Sequence, residues 1–216
     1  MKRSEKHEIV NMDTYPRREH YNHYLNMRCT YSVTVNIDIT KLRANLKCLD
    51  LRVMPSLTWL LANAVNGLPE FRMGKDENEN LIIWDVLHPC YVVMNDKTKT
   101  FSGLWTEYSV TFMDFYNACV SDIEKYADGS LEPKGKPPQN QFFVSSVPFL
   151  PFTSLSFNVA DQWFTPILTV GQFAETEGKT VMPFAIQVHH AVCDGYHVGQ
   201  FVQRVQDLAD HCEMWL

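Results

Sequence analysis

The sequence predicts an α/β (α+β) fold, a two-layer sandwich in which helices cover a mixed β-sheet. Helical and strand-like segments alternate in the first half of the chain, whereas strand-like runs follow one another in the second half, which favours a mixed rather than an all-parallel sheet. The composition is sufficient for a packed core, because 45% of the 216 residues are hydrophobic and 12% are aromatic. We therefore expect a single domain over residues 1–216.

The first third of the chain predicts three helices and one strand. Pro16 suits the first position of a helix because its fixed φ is helical, which places Arg17 on that helix near its start. Strict alternation of apolar and polar residues indicates a strand with one buried face. Gly67 is expected to end the third helix. The predicted ranges are 16–26 for the first helix, 31–39 for the strand, a short helix capped by Thr40, and 57–66 for the helix opened by Pro55 and Ser56.

The middle of the chain predicts a hairpin, two further strands, a helix and a long loop. Residues 76–80 form a solvated turn that would join 71–73 to a strand over 81–84. Apolar residues recur at helical spacing over 112–126. Residues 128–141 are rich in Pro, Gly and Lys and have no period, so they form the longest loop, which could border a substrate pocket. The two further strands are predicted at 89–94 and 98–102.

The last third of the chain predicts four strands and a final helix. Short apolar runs at 142–144, 154–159, 167–170 and 181–188 indicate the strands. The final helix carries Phe201, Val205, Leu208 and Cys212 on one side.

Charge and cysteine content argue against several classes of protein. The formal net charge is -6 at pH 7, whereas binding phosphates usually needs a basic face, so we expect no nucleic-acid partner. The six cysteines form no CxxC pair, so we predict reduced thiols rather than a zinc module or a disulfide scaffold. Residues 1–8 are charged and lead into no apolar run, and no apolar run reaches the roughly 18 residues of a membrane span, so we expect a cytoplasmic protein without a membrane partner.

The segment from Gln187 to His197 is the strongest indication of function. Apolar residues lead into it as a buried strand would, Asp194 and Gly195 stop that strand, and an amphipathic helix pattern follows at once. His190 is therefore predicted to lie where a strand delivers side chains to a cleft. A neutral imidazole can take a proton from an alcohol as it attacks a carbonyl group, and such a base contributes roughly 10²–10⁴-fold in rate.

The run His-His-Ala-Val-Cys-Asp-Gly-Tyr-His-Val, residues 189–198, resembles the extended HxxxDG signature of the chloramphenicol acetyltransferase family. The resemblance covers essentially the whole chain. It implies a CoA-dependent acyltransferase-like fold, a homotrimer with its sites at subunit interfaces, and transfer of acetyl from acetyl-CoA to a hydroxyl of chloramphenicol, which inactivates the antibiotic. The other matches, in the family's order, are Tyr15–His20, Phe71–Met73, Ile83–Asp85, Thr100–Ser102, Phe143–Ser145 and Asn158–Ala160.

The resemblance also implies the chemical roles. His190 would abstract the proton of the acceptor hydroxyl, which attacks the thioester directly in a ternary complex. Ser145 would stabilise the tetrahedral oxyanion, and Thr169 would support that intermediate through water. Ser146 is the neighbouring hydroxyl. If the segment is a strand, the two serines face opposite sides, so only one can reach the site.

Two further residues would support the site. The resemblance pairs Asp194 with Arg17 to hold the catalytic segment, and Arg18 is the alternative if the register is off by one. An acyl-enzyme on Cys193 is disfavoured, because free cysteines are commonly buried. No metal site is predicted, because His189 and His190 would point to opposite faces of a strand and no HExxH or CxxC element is present.

The pocket residues are also implied by the resemblance alone. The acceptor site would be lined by Tyr24, Cys29, Phe101, Phe157 and Val159. The coenzyme side would be contacted by Phe149, Thr169 and Phe173. Two positions depart from the family pattern. Glu132 occupies the place of the Phe in a Phe-Pro pair of the family, and Phe143 replaces a residue that is polar in some members.

Three alternatives stay open. The chain could acetylate another alcohol or amine by the same mechanism, which Glu132 would favour. It could be a catalytically silent homologue that binds drug or CoA. A dihydrolipoyl acyltransferase is expected less, because 216 residues leave no room for a lipoyl domain and linker beside the catalytic part.

Overall fold

A computed structural model of the protein describes residues 5–159 and 163–216. The charged residues 1–4 and Ala160, which were considered in the sequence, lie outside these ranges. In chain order the elements are β1 (His7–Ile9), α1 (Arg18–Asn26), β2 (Thr30–Asp38), α2 (Thr40–Cys48), α3 (Val53–Asn66), a 3₁₀ turn (Pro69–Arg72), β3 (Met73–Lys75), β4 (Leu81–Trp84), β5 (His88–Met94), β6 (Phe101–Trp105), α4 (Phe112–Tyr126), β7 (Gln141–Val147), β8 (Ile167–Gly171), β9 (Ala174–Thr176), β10 (Lys179–His189), α5 (Gly195–Asp210) and a second 3₁₀ turn (Cys212–Met214).

The main sheet is mixed, as predicted. Six of its strands run in the order β2-β10-β8-β7-β5-β6, and β9 pairs with β10. β7 is parallel to both β5 and β8, whereas the other pairs are antiparallel. A second, three-stranded sheet in the order β1-β4-β3 contains the predicted hairpin at 73–84. The combination of helices with a mixed sheet confirms the predicted α/β (α+β) fold class.

The two faces of the main sheet have different surroundings. Val144, Leu168 and Ile186 are almost completely buried and belong to one core cluster together with residues of the covering helices. Because side chains alternate along a strand, the intervening residues lie on the opposite face. Ser145 on β7 is the register partner of Thr169 on β8, which is in turn the partner of Ala185 on β10. The two hydroxyl residues Ser145 and Thr169 thus lie side by side near the centre of the sheet, on the face away from this core.

The helices follow the predicted pattern with small shifts in their ends. α1 begins at Arg18 and Arg17 precedes it, so Arg17 lies just before the helix rather than on it. α2 begins at Thr40, whose N–H and hydroxyl both donate to the Asp38 carboxylate, at 3.0 and 2.6 Å. The capping interaction expected of Thr40 is therefore supplied by Asp38. α3 begins at Val53, four residues earlier than predicted.

The strand predicted over 154–159 is wrong, because this segment has no strand structure. No strand from this segment stands between the neighbours in the main sheet: β8 is flanked by β7 and β10, and β10 by β8 and β2. The segment instead lies over the sheet and pairs with a side chain. Phe157 donates its N–H to the Gln187 amide oxygen at 2.6 Å, and its carbonyl accepts from the Gln187 amide nitrogen at 2.9 Å.

None of the helices in the described ranges is long and apolar enough to cross a membrane.

Candidate active site

His190 is the first residue after β10 and is held in place by three neighbours. Its backbone N–H donates to the Cys29 carbonyl at 2.8 Å. Its imidazole stacks on the Tyr24 ring, with centroids 3.7 Å apart and planes 5° apart, and lies 5.0 Å from the Tyr31 ring. Nδ1 is buried and makes no hydrogen bond with any residue that the structure describes. The ring is therefore oriented by aromatic contacts and by its backbone.

His189 is placed differently from its neighbour. It is buried, its Nδ1 accepts the Ala191 N–H at 3.1 Å, and its ring meets the edge of Phe164 at 4.9 Å. These contacts belong to the interior of the fold. Within residues 5–159 and 163–216, no group of three or more His, Cys, Asp or Glu side chains is placed to hold a metal ion.

The turn after His190 is tied to the start of α1 through Arg17. Nη1 of Arg17 donates to the Val192 carbonyl at 2.6 Å, and Nη2 lies 3.3 Å from Oδ2 of Asp194. Asp194 in turn caps α5, because its carboxylate accepts the Tyr196 N–H at 3.0 Å. Arg17 thus holds the segment that follows His190 at two points, Val192 and Asp194. Arg18, the alternative from the sequence, contacts the exposed Asp13 instead.

His197 and Glu70 extend this arrangement, and sequence reasoning assigned neither a role. Nδ1 of His197 accepts the Asp194 N–H at 3.1 Å, which places the ring hydrogen on Nε2, 3.7 Å from Oε1 of Glu70. When the ring is fully protonated, the same Nδ1 can ion-pair with Oδ1 of Asp194 at 2.9 Å. Asp194 and His197 form a capping box at the start of α5, with His in the place where Glu or Gln is usual, so the standard sequence signature is absent. The contact with Glu70 had no local signal.

Asp194 is held in its charged form by these neighbours. Burial opposes its ionisation and is the largest single effect, but the positive charges of His197 and Arg17 and the N–H groups of Tyr196 and His197 together lower the pKa of Asp194. A lowered pKa in the folded state stabilises the protein above the ordinary Asp range, and this contribution is lost as the pH falls through the folded-state value.

Arg17→Met is expected to lower the free energy of unfolding by about 1–2 kcal/mol at pH 7, because it removes a charged hydrogen bond and half of a partly exposed ion pair. It should lower kcat about tenfold through loosening of the segment that carries His190. Urea unfolding and steady-state kinetics measure both effects. Arg18→Met is the matched control, and its exposed ion pair predicts less than about 0.5 kcal/mol. Equal effects of the two substitutions would contradict the assignment of Arg17.

Cys193 is unsuited to be a nucleophile. It is completely buried, and this burial raises the pKa of its thiol far above the usual value.

Ser145 lies in the wall of a cavity of about 330 Å³. Three of the residues predicted to bind substrate, Phe101, Phe157 and Val159, line the same cavity. Ser146 points to the other side of β7, where it lines a separate cavity of about 370 Å³. The described lining of the Ser145 cavity is Cys90, Tyr91, Val92, Phe101, Gly103, Leu104, Trp105, Leu131, Glu132, Pro137, Phe143, Val144, Ser145, Phe157, Val159 and Ile167.

The three residues predicted to contact the coenzyme have different surroundings within the described part of the chain. Thr169 is completely buried, and its Oγ1 has no hydrogen-bond partner among the described residues. Phe149 is 71% exposed just after β7. Phe173 lines the cavity next to Ser146, with the Arg43 guanidinium 5.3 Å from its ring centre.

His190 and Ser145 are far apart within one chain. Ser145 lies level with Ala185 across two strand spacings, and His190, just past the end of β10, follows Ala185 by five residues. With about 3.4 Å per residue and 4.8 Å per strand, the two Cα atoms are separated by roughly 15–20 Å. Neither His190, Tyr24 nor Cys29 is part of the described lining of the Ser145 cavity. The predicted site residues therefore form two groups in the chain.

The sequence profile of the chloramphenicol acetyltransferase family matches residues 6–206. The chain belongs to this family. The chloramphenicol acetyltransferase of Bacillus pumilus is 48% identical over 208 residues, covering 94% of both chains. That of Clostridium butyricum is 38% identical over 212 residues, covering 96% of this chain and 97% of the relative.

Solved structures share the fold of this chloramphenicol acetyltransferase family member. A chloramphenicol acetyltransferase superimposes with a TM-score of 0.84 at 21% identity, over 94% of this chain and 100% of the other. A dihydrolipoamide acetyltransferase of Azotobacter vinelandii superimposes with a TM-score of 0.69 at 18% identity, over 91% of this chain and 87% of the other. The fold expected from the resemblance, that of CoA-dependent acyltransferases, is thus confirmed.

Both departures from the family pattern, Glu132 and Phe143, lie in the wall of the Ser145 cavity.

Proposed function

We propose that the protein transfers acetyl from acetyl-CoA to a hydroxyl of chloramphenicol and thereby inactivates the antibiotic. Membership of the chloramphenicol acetyltransferase family is the observation that carries this proposal. His190 and the largely apolar cavity lined by Ser145 support it. The reaction needs a base to take a proton and a cavity that binds an uncharged aromatic substrate. The second candidate, transfer to another alcohol or amine, is favoured by Glu132 in the same cavity. A silent binding protein is the third.

His190 is the general base in this proposal. Its Nε2 takes the proton of the acceptor hydroxyl as the oxygen attacks the thioester carbonyl carbon of acetyl-CoA. The tetrahedral intermediate then collapses, the carbon–sulfur bond breaks, and the proton passes from His190 to the leaving sulfur, so that acetyl ester and free CoA are the products. The Tyr24 stack and the Cys29 carbonyl support this role, because they fix the ring without using its nitrogens.

Ser145 donates its hydroxyl hydrogen bond to the oxyanion of the tetrahedral intermediate. A donor fixed in a largely apolar wall is effective there, because it needs no reorganisation when the charge develops. Thr169 is the register partner of Ser145. Its Oγ1 is buried and has no hydrogen-bond partner among the residues that the structure describes, so it suits contact with the intermediate through a water molecule. Phe149 and Phe173 contact acetyl-CoA, which acts as a co-substrate.

The active site is assembled from two copies of the chain in a homotrimer. The separation of His190 from Ser145 supports this proposal, because a direct transfer needs both groups around one acetyl carbon. Exposed apolar residues around the Ser145 cavity are also suited to be covered by a neighbour. These are Phe101, Leu131, Phe143 and Phe157. His190, Tyr24 and Cys29 of one copy would close the acceptor cavity of the next.

A trimer is therefore expected in solution. Three copies of the 25.0 kDa chain give about 75 kDa, which light scattering coupled to gel filtration resolves from a monomer. Activity per chain should fall on dilution in parallel with the loss of that species. A monomer that keeps full activity at every concentration would contradict the shared site.

We place this reaction in the cytoplasm, where acetyl-CoA is available, with residues 1–216 acting as one domain. The described residues support one domain through their shared core cluster.

The function is tested by release of CoA from acetyl-CoA, measured with a thiol-reactive chromophore. Release should require chloramphenicol and should be lost in His190→Ala. Release with other acceptors but not with chloramphenicol would favour the second candidate, and absence of release with all acceptors would favour the silent binding protein.

A further inference from the structure

Glu132 is the one formally charged residue in the described lining of the Ser145 cavity. Most of the wall around it is apolar or aromatic, including Phe101, Phe143, Phe157 and Val159. In such cavities the few polar groups decide which ligands are accepted, since the apolar surface discriminates weakly. A carboxylate at this place therefore has a strong influence on the choice of acceptor.

The charge of Glu132 acts on the interior of the cavity. Cys90 lines the same cavity, and burial, followed by the charge of Glu132, raises the pKa of its thiol to about 12. Among the residues that the structure describes, no cation forms an ion pair with Glu132. The neighbouring Lys134 is bound elsewhere, because its Nζ lies 2.6 Å from Oδ2 of Asp122 and 2.9 Å from the Trp105 carbonyl.

The backbone around Glu132 is fixed on both sides. Before it, the Leu131 carbonyl accepts the Gly103 N–H at 2.9 Å, and a Cβ at Gly103 would lie only 2.9 Å from that oxygen, so glycine allows the close approach. After it, the Glu132 carbonyl accepts the N–H of Gly135, whose φ of 82° favours glycine. Lys134 then anchors the loop to α4 through Asp122. Glu132 is thus held at the cavity and does not belong to a loose loop.

We propose that Glu132 is a specificity-determining residue that selects acceptors bearing an amine or another hydrogen-bond donor at the end that meets it. This inference rests on the proposed acetyltransferase function. The nitro group and the dichloromethyl group at the two ends of chloramphenicol carry no N–H or O–H hydrogen. A carboxylate that meets either group must stay solvated or lose hydrogen bonds. An ammonium group or an arylamine satisfies the same carboxylate directly.

The test compares three acceptors: chloramphenicol, its analogue with an aryl amine in place of the nitro group, and its analogue with an aminoacetyl group in place of dichloroacetyl. The two analogues place a donor at opposite ends of the molecule. The side chain of Glu132 is exposed in the chain, so Glu132→Gln is expected to fold normally. Gln keeps the size and removes the charge.

We expect Glu132→Gln to lower kcat/KM for at least one amine analogue, relative to chloramphenicol, by about tenfold or more, mainly through KM. Glu177→Gln, at an exposed turn after β9, is the matched control and should leave the ratio unchanged. If Glu132→Gln leaves kcat/KM for both analogues, relative to chloramphenicol, within twofold of the wild-type ratio, the inference is overturned. Turnover of chloramphenicol in the same experiment would still uphold the proposed function. No turnover of any acceptor by the wild type would overturn both.

Discussion

His190→Ala is expected to lower kcat by about 10²–10⁴-fold with little change in either KM. The substitution removes the group that takes the acceptor proton, and a positioned base contributes up to about 10⁴-fold. The Tyr24 stack places His190 but does not replace its basicity, so no described neighbour supplies the same function. Steady-state kinetics with acetyl-CoA and chloramphenicol measure the loss.

The fold of the His190→Ala protein must be shown to be intact. His190 is only partly buried, and its Nδ1 makes no hydrogen bond with described residues, so loss of the ring is expected to cost about 1–2 kcal/mol, mainly from the aromatic stack. Circular dichroism and the same oligomer size as wild type establish this. His20→Ala, on the exposed side of α1, is the control and should keep wild-type kcat. A folded His190→Ala protein with kcat within tenfold of wild type would exclude His190 as the base.

Ser145→Ala is expected to lower kcat by about 10²–10³-fold, since loss of one oxyanion donor has this effect. KM should change little, because the interaction forms in the transition state and not with the bound substrates. The change removes one oxygen from the wall of the cavity and leaves the strand intact.

Ser146→Ala is the matched control for this prediction. The two residues are adjacent on β7 and carry the same side chain, but Ser146 lines the cavity on the other face of the sheet. Its substitution should alter kcat by no more than a few-fold. A larger loss for Ser146→Ala than for Ser145→Ala would show that the oxyanion is stabilised from the other face.

Much of the fold could be predicted because it is encoded locally. The alternation over 31–39 specifies β2, and the apolar spacing over 112–126 specifies α4. The error at 154–159 has a long-range cause: the segment has a strand-like composition, but its backbone is paired by the side chain of Gln187, thirty residues away. Local pattern cannot show which neighbours a segment meets.

The candidate site also has features that local sequence predicts and features that depend on long-range contacts. The run around His190 and Asp194 is contiguous in sequence, so its resemblance to one family was readable, whereas the contact of Glu70 with His197 joins two distant segments and was missed. Phe101, Phe157 and Val159 were expected in one acceptor site, and they share a cavity with Ser145. Tyr24 and Cys29 lie apart from them with His190. The distance between the two groups follows from sheet register, which no local pattern reveals.

Complementation between two inactive variants tests the shared active site most directly. His190→Ala and Ser145→Ala are unfolded together in equal amounts and refolded, and CoA release with chloramphenicol is measured. If each site takes His190 from one copy and Ser145 from the next, random mixing makes about a quarter of the sites wild-type, and activity should return to about a quarter of that of refolded wild type. If both residues act within one chain, the mixture will be no more active than its two components, and that result would contradict the account.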